Sequence, residues 1–377
     1  MVAYLTLAWF IDQKRIPITY YVSQWMVTFA AGFVRRGLLG QTIFDLSRLT
    51  KLPPIELIKC CHYSLATALA SIVTFQCVKN RQWLGLAGLC VILSNGYLTK
   101  YIWMETGSID VFFILLPIFN LWLARSHPER YVPTATLFFA TAGLFVALSH
   151  EAFLFLSLPL NLVISWRQLQ ATGKQRAIVA MYAIPVAACA IESFFHGTVA
   201  QSAVMEQCWQ TLGVSVPKRT ALYYMGFSLP QEFKFVYAVL SPVTVAVWIF
   251  DILLCFAPFY FLAKAILSGV PEETKARFKL KCRDYLWWPL AATLPMYAVG
   301  SDWDRWPAIP IVAGSICLLM VANDEFSFQS APKMNIGWVC LAAVGLIFRP
   351  VPPNVYLNNI EEGPLVIAAR LILRMPV

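Results

Sequence analysis

The sequence predicts an all-α protein, a polytopic bundle of membrane-crossing helices, and three observations carry that reading. Hydrophobic residues fill 59% of the 377 positions and charged residues only 13%, against about 45–50% and about 25% in soluble domains. Apolar runs of membrane-crossing length recur from end to end, and a bilayer core asks for about 20 such residues per helix. The runs are continuous rather than alternating, which excludes a transmembrane β-barrel. An ordinary water-soluble enzyme and a disordered chain are excluded by the same arithmetic.

Residues 1–12 are apolar but lack a basic start and a small-residue cleavage site, so they read as a short first helix and not as a signal peptide. Further spans are expected at 61–78, 82–99, 108–124, 132–149, 152–166, 177–195, 236–266, 285–300, 307–323 and 336–348, about eleven crossings with the first. The piece 364–377 is interrupted by Arg370 and Arg374 and reads as a surface segment. No fixed-period repeat and no linker divides the chain. Residues 1–377 are therefore expected to form a single membrane domain.

Short basic loops set the orientation. Lys79 and Arg81, Arg125 and Arg130, and then Arg167, Lys174 and Arg176 occupy alternate gaps. Lys275, Arg277, Lys279, Lys281 and Arg283 make the densest group. All four share one side if 236–266 crosses once as a long tilted helix, and that side is taken as cytoplasmic, together with the N-terminus. The opposite face then receives two large loops, 13–60 and 196–235, and the turns around 150 and 304. Loop 13–60 holds seven Lys or Arg, and loops of that length translocate despite their charge. Its amphipathic stretches, Ile18–Val34 and Gln41–Leu49, are expected to be surface helices.

The net charge of +9 is spread over these loops, with no basic tail and no nucleic-acid module, so no nucleic-acid partner is expected. Membrane lipid is the partner such charges first indicate. Ten cysteines lie mostly in apolar runs without a CxxC pair, which argues against a disulfide framework or zinc site. Walker, dinucleotide-binding, HExxH and GxSxG motifs are absent, and ATP-driven transport, NAD chemistry, zinc proteolysis and α/β-hydrolase chemistry lose support.

Three constellations could carry chemistry on the predicted outer face. In the segment from Gly32 to Gly40, Arg35 and Arg36 stand between glycines. Guanidinium forks bind phosphate oxygens bidentately and stay charged in partly apolar sites; lipid headgroup contact is the other reading. His150 and Glu151 sit in a minimal turn between two apolar helices, where a carboxylate can orient an imidazole or act as a base itself; helix capping is the plainer role. Asp302, Asp304 and Arg305 crowd one turn with Trp303 and Trp306, suiting hydroxyl activation, anion binding and sugar stacking; an aromatic belt with a local ion pair is the alternative. Asp251, near the middle of a long span, is a further candidate by position.

These residues together resemble bacterial integral-membrane glycosyltransferases of the GT-C type and the oligosaccharide repeat-unit polymerases of O-antigen and exopolysaccharide assembly. The likeness lies in the long first external loop, the diarginine segment, the His150-Glu151 turn and the Asp302–Arg305 turn. It departs from the GT-C pattern at the start of that loop, where only Asp12 stands, followed by Gln13, Lys14 and Arg15. The resemblance implies transfer of a sugar or oligosaccharide from a polyprenyl diphosphate to a hydroxyl, at the outer face of the bacterial inner membrane. It implies Glu151 or Asp304 as base, His150 as orienting partner, Asp302 beside them, and Arg35, Arg36 and Arg305 on the diphosphate. Neither a metal nor another cofactor is implied, and other polysaccharide-assembly proteins are implied as partners. A flippase or transporter of lipid-linked sugars is the competing class.

Overall fold

The computed structural model describes residues 20–79, 102, 106–216, 220–299, 305–325, 348–350 and 360–362. In chain order the first helices are α1 (Tyr20–Gln24), α2 (Gly37–Thr50), α3 (Pro54–Lys79), α4 (Asp110–Ser126) and α5 (Tyr131–Ser149), the last with a π turn at Phe139–Gly143. Then come α6 (Phe153–Leu156), α7 (Leu158–Thr172), α8 (Ala177–Glu192), α9 (Val199–Gln210), α10 (Ala221–Tyr224) and α11 (Leu229–Val239). The remainder comprises α12 (Pro242–Gly269), α13 (Glu272–Cys282), a π turn at Arg283–Trp287, α14 (Trp288–Ala291), α15 (Met296–Val299) and α16 (Arg305–Glu325). Strands β1 (Phe348–Pro350) and β2 (Ile360–Glu362) pair antiparallel, with Arg349 opposite Glu361.

The chain is mostly helical, and three stretches are long and apolar enough to cross a membrane: Pro54–Gln76, Tyr131–Ser149 and Arg305–Ala322. They fall where spans are expected at 61–78, 132–149 and 307–323. The span expected at 236–266 begins later: residues 236–239 close α11, and one continuous helix, α12, then runs from Pro242 to Gly269. Pro242 explains the break: a proline is tolerated in the first turn of a helix and disfavours helical geometry in the residue before it. Within 285–300, Pro289 and Pro295 sit among short turns, and the helix is not continuous. The expected spans at 1–12 and 82–99 lie outside the described residues, as do 336–347 and 364–377.

Two compact units are resolved by internal packing, one comprising Phe10–Ala66 and Glu105–Lys234, the other Met1–Trp9, Thr67–Met104 and Phe235–Val377. In the first, α4 packs on α7, and α8 packs on α5 through its π turn and last turns. A buried polar cluster pins these four helices. Tyr131 Oη donates to Asn120 Oδ1 at 2.7 Å, while Asn120 Nδ2 and Tyr182 Oη both donate to the Asn161 carbonyl, at 3.1 and 3.0 Å. Ser165 Oγ lies between the two tyrosine hydroxyls at 2.6 and 2.7 Å. Such interhelical bonds specify which faces meet where lipid gives helices no hydrophobic reason to associate.

The stretch expected as a surface helix over 18–34 is mostly irregular and largely buried: α1 has five residues, and Val22, Trp25, Met26 and Val27 are all 2% exposed or less. Distant donors and acceptors hold it. Trp25 Nε1 donates to the Gly107 carbonyl at 2.6 Å, and Trp209 Nε1 to the Met26 carbonyl at 2.6 Å. The Ala221 amide donates to Ser23 Oγ at 2.9 Å. The second amphipathic stretch does form a helix, α2, in which Leu39, Ile43 and Phe44 are buried while Leu46 and Leu49 are exposed. Two of the connecting elements in 196–235 are likewise helical, α9 and α10.

Gly40 lets α2 start against this irregular stretch, since an added Cβ would overlap the Val27 carbonyl oxygen, a backbone atom with nowhere to go. Gly40→Ala is expected to cost about 1–3 kcal/mol, as overpacking does. Thermal unfolding in detergent checks this, and an unchanged midpoint would show that the contact relaxes. In the second unit, α16 is buried along its whole apolar length and packs on α12, α14 and the second π turn. Gly314 sits against the Tyr285 carbonyl of that turn.

Candidate functional site

Four of the residues singled out by sequence meet at one place in the first unit. Arg36 occupies the left-handed region, φ 65°, as the residue preceding the first turn of α2. A non-glycine residue there is uncommon and persists only where its surroundings fix it. From that position its guanidinium forks onto Glu151: Nε donates to Oε2 at 2.8 Å and Nη2 donates to Oε1. Arg35 Nη1 lies 3.6 Å from the same Oε1, and the Arg35 amide donates to the Phe195 carbonyl at 2.7 Å.

Glu151 is delivered by the turn between α5 and α6, and His150 precedes it in extended backbone, φ −168°. The Ala152 amide donates to His150 Nδ1 at 3.1 Å. That nitrogen therefore carries a lone pair, and its 3.5 Å approach to Glu151 Oε2 is a close contact, not a hydrogen bond, while the ring is neutral. The ring stands edge-on to Phe113, centroids 6.1 Å apart. Burial pushes the Glu151 carboxyl up, but the Arg36 charge and its fork, with Arg35 beside them, outweigh it and hold the group well below the usual carboxylate range. Glu151 is anionic in this setting. Its side chain keeps 22% exposure and that of Arg36 15%, so the cluster opens to the surface at these two groups.

A fifth residue belongs to the cluster and was not among the sequence candidates. Glu192, the last residue of α8, is fully buried, and its Oε1 accepts the Arg36 amide. This places a carboxylate at the N-terminus of α2, where amides are left without intrahelical partners and the helix dipole favours negative charge. Its Oε2 is buried with no hydrogen-bond partner among the described residues. One turn earlier, Cys189 Sγ lies 3.6 Å from the Glu151 carbonyl, so the last turn of α8 contacts both halves of the ion pair. The signal was in the sequence: Glu192 is the only charged residue in the apolar stretch 177–195, and an ionisable group in such a run marks function by default.

Apolar surface adjoins the charges. Phe29 stacks on Phe33 at 5.3 Å, and Phe33 meets Phe195 edge-on at 5.1 Å. Phe33 and Phe195 are about half exposed and Phe194 is 82% exposed.

The other candidates lie on other elements or outside the described residues. Asp302 and Asp304 lie outside the described residues. Arg305 begins α16 in the other unit and is 6% exposed. Asp251 lies within α12. Among the described residues no group of three or more His, Cys, Asp or Glu is placed to hold a metal ion. No family model matches this chain, and neither a curated protein nor a solved structure matches it significantly.

Proposed function

We propose that this chain is a membrane glycosyltransferase that moves a sugar or oligosaccharide from a polyprenyl diphosphate to a hydroxyl acceptor, most specifically a polysaccharide repeat-unit polymerase. One observation carries the reading: two neighbouring arginines, held by a part-buried and a buried carboxylate at a helix N-terminus, border an exposed aromatic surface. A lipid-linked diphosphate has the matching parts, an anionic head for the guanidinium forks and an apolar chain for the phenylalanines. In the resting cluster Glu151 stands in for that anion on Arg36. The donor's more highly charged diphosphate competes for the same fork, and Arg35 beside it adds a second cation, so charge developing on the departing diphosphate meets donors already aimed at it.

The same proposal includes about eleven membrane crossings, the bacterial inner membrane as location and a cytoplasmic N-terminus, which puts the cluster at the outer face. Arg305, with Asp302 and Asp304 beside it in sequence, is proposed as a further part of the machinery, on the family resemblance alone.

The test is conversion of polyprenyl-diphosphate-linked saccharides, extracted from a strain lacking the protein, by the purified chain in detergent. Longer lipid-linked or free glycan is the expected product. Absence of conversion together with transbilayer movement of the same lipids in reconstituted vesicles would assign the protein to the flippases instead.

A further inference from the structure

We infer that Glu192 is the group that accepts the acceptor's proton in this transfer, an assignment that rests on the glycosyltransferase reading above. A general base needs a lone pair not already committed to a donor. Glu151 meets that requirement less well, because in the resting cluster both of its oxygens face the Arg36 fork, and Arg35 and His150 crowd the same carboxylate. Glu192 meets it. One oxygen holds the Arg36 amide and the other, Oε2, is buried with no hydrogen-bond partner among the described residues.

The choice of residue type supports the assignment. Holding a backbone amide requires only one acceptor, which a glutamine or a serine supplies without bringing a second carboxylate oxygen out of solvent. An unsatisfied buried oxygen is costly and asks for a role. The geometry also ties this oxygen to the donor site, since Glu192 fixes the backbone of the same Arg36 whose guanidinium would hold the diphosphate.

The step balances as a single displacement. The acceptor O–H bond breaks and its proton passes to Glu192 Oε2. The freed oxygen pair forms the new bond to the anomeric carbon. The bond from that carbon to the phosphate oxygen breaks, and its electron pair leaves on the diphosphate.

Glu192→Gln keeps an acceptor for the Arg36 amide and removes the base, so polyprenyl diphosphate binding should stay within threefold of wild type. Transfer from the extracted lipid-linked saccharide should fall on the order of 10²–10⁴-fold, the usual loss for a general base. Glu192→Ala leaves a small cavity, and added formate, a free carboxylate of fitting size, should restore part of the turnover there. Transfer by Glu192→Gln within tenfold of wild type overturns the assignment. So does loss of polyprenyl diphosphate binding in both variants with no recovery in formate, which makes Glu192 a positioning residue for Arg36. Absence of transfer by the wild-type protein removes the glycosyltransferase reading itself, and this assignment with it.

Discussion

Glu151→Ala is expected to destabilise the protein by about 3 kcal/mol, and the double variant Arg36→Ala/Glu151→Ala by clearly less than the two single changes summed. Removing one partner of a buried ion pair leaves the other charge uncompensated, which costs about 3–5 kcal/mol. The lower end applies because Glu151 keeps 22% exposure and water reaches part of the orphaned arginines. Two cations, Arg35 and Arg36, face this one carboxylate, so its loss leaves like charges side by side with nothing between them. In the double variant only Arg35 remains, and the repulsion goes. A coupling energy in the range of about 0.5–3 kcal/mol is the signature of residues in one network. Unfolding in detergent followed for the four proteins of the cycle measures it. Strict additivity would mean that the fork contributes nothing to stability and that solvent screens it as it does an exposed pair.

How far such a site can be read from sequence depends on the range of the interactions that build it. Membrane-crossing helices are encoded by local composition, which is why Pro54–Gln76, Tyr131–Ser149 and Arg305–Ala322 fall where hydrophobic runs place them. The diarginine and the His150-Glu151 turn each stood out locally as charge in apolar surroundings. Their meeting did not, because the Arg36–Glu151 bonds join residues 115 apart. The stretch comprising α1 and the irregular residues after it is likewise held from afar, over separations of 82, 183 and 198 residues for the Trp25, Trp209 and Ser23 bonds. No periodicity within 18–34 records those partners, and its amphipathic pattern therefore suggested a surface helix. The later start of α12 differs in kind. Its signal, Ser241 before Pro242, is local, but the apolar run continues across it. Glu192 is a single carboxylate inside a stretch whose pattern is otherwise wholly apolar or neutral, and its partner Arg36 lies 156 residues away.

Arg36→Lys is expected to reduce transfer by on the order of 10²–10³-fold, the loss that follows removal of one preorganised donor from a site of developing negative charge. The charge is conserved in this change and the fork is not. Lysine presents a single ammonium that cannot place two N–H groups on two oxygens of one carboxylate or phosphate. Backbone strain separates this effect from a folding defect: Arg36 holds φ 65°, lysine tolerates that region no worse than arginine, and Lys51 already occupies it at φ 63° in the same chain. The Glu192 contact is made by the main-chain amide of Arg36 and survives the substitution. Stability should therefore change much less than in Glu151→Ala, while turnover collapses. Arg35→Lys should be milder, since Arg35 Nη1 lies 3.6 Å from Glu151 Oε1 and makes no fork there. Turnover of lipid-linked saccharide by both lysine variants, measured beside their unfolding midpoints, checks the ranking. If both transfer at the wild-type rate, the arginines serve lipid contact or structure alone, and the diphosphate clamp is lost as an explanation of why two guanidiniums are held at the start of α2.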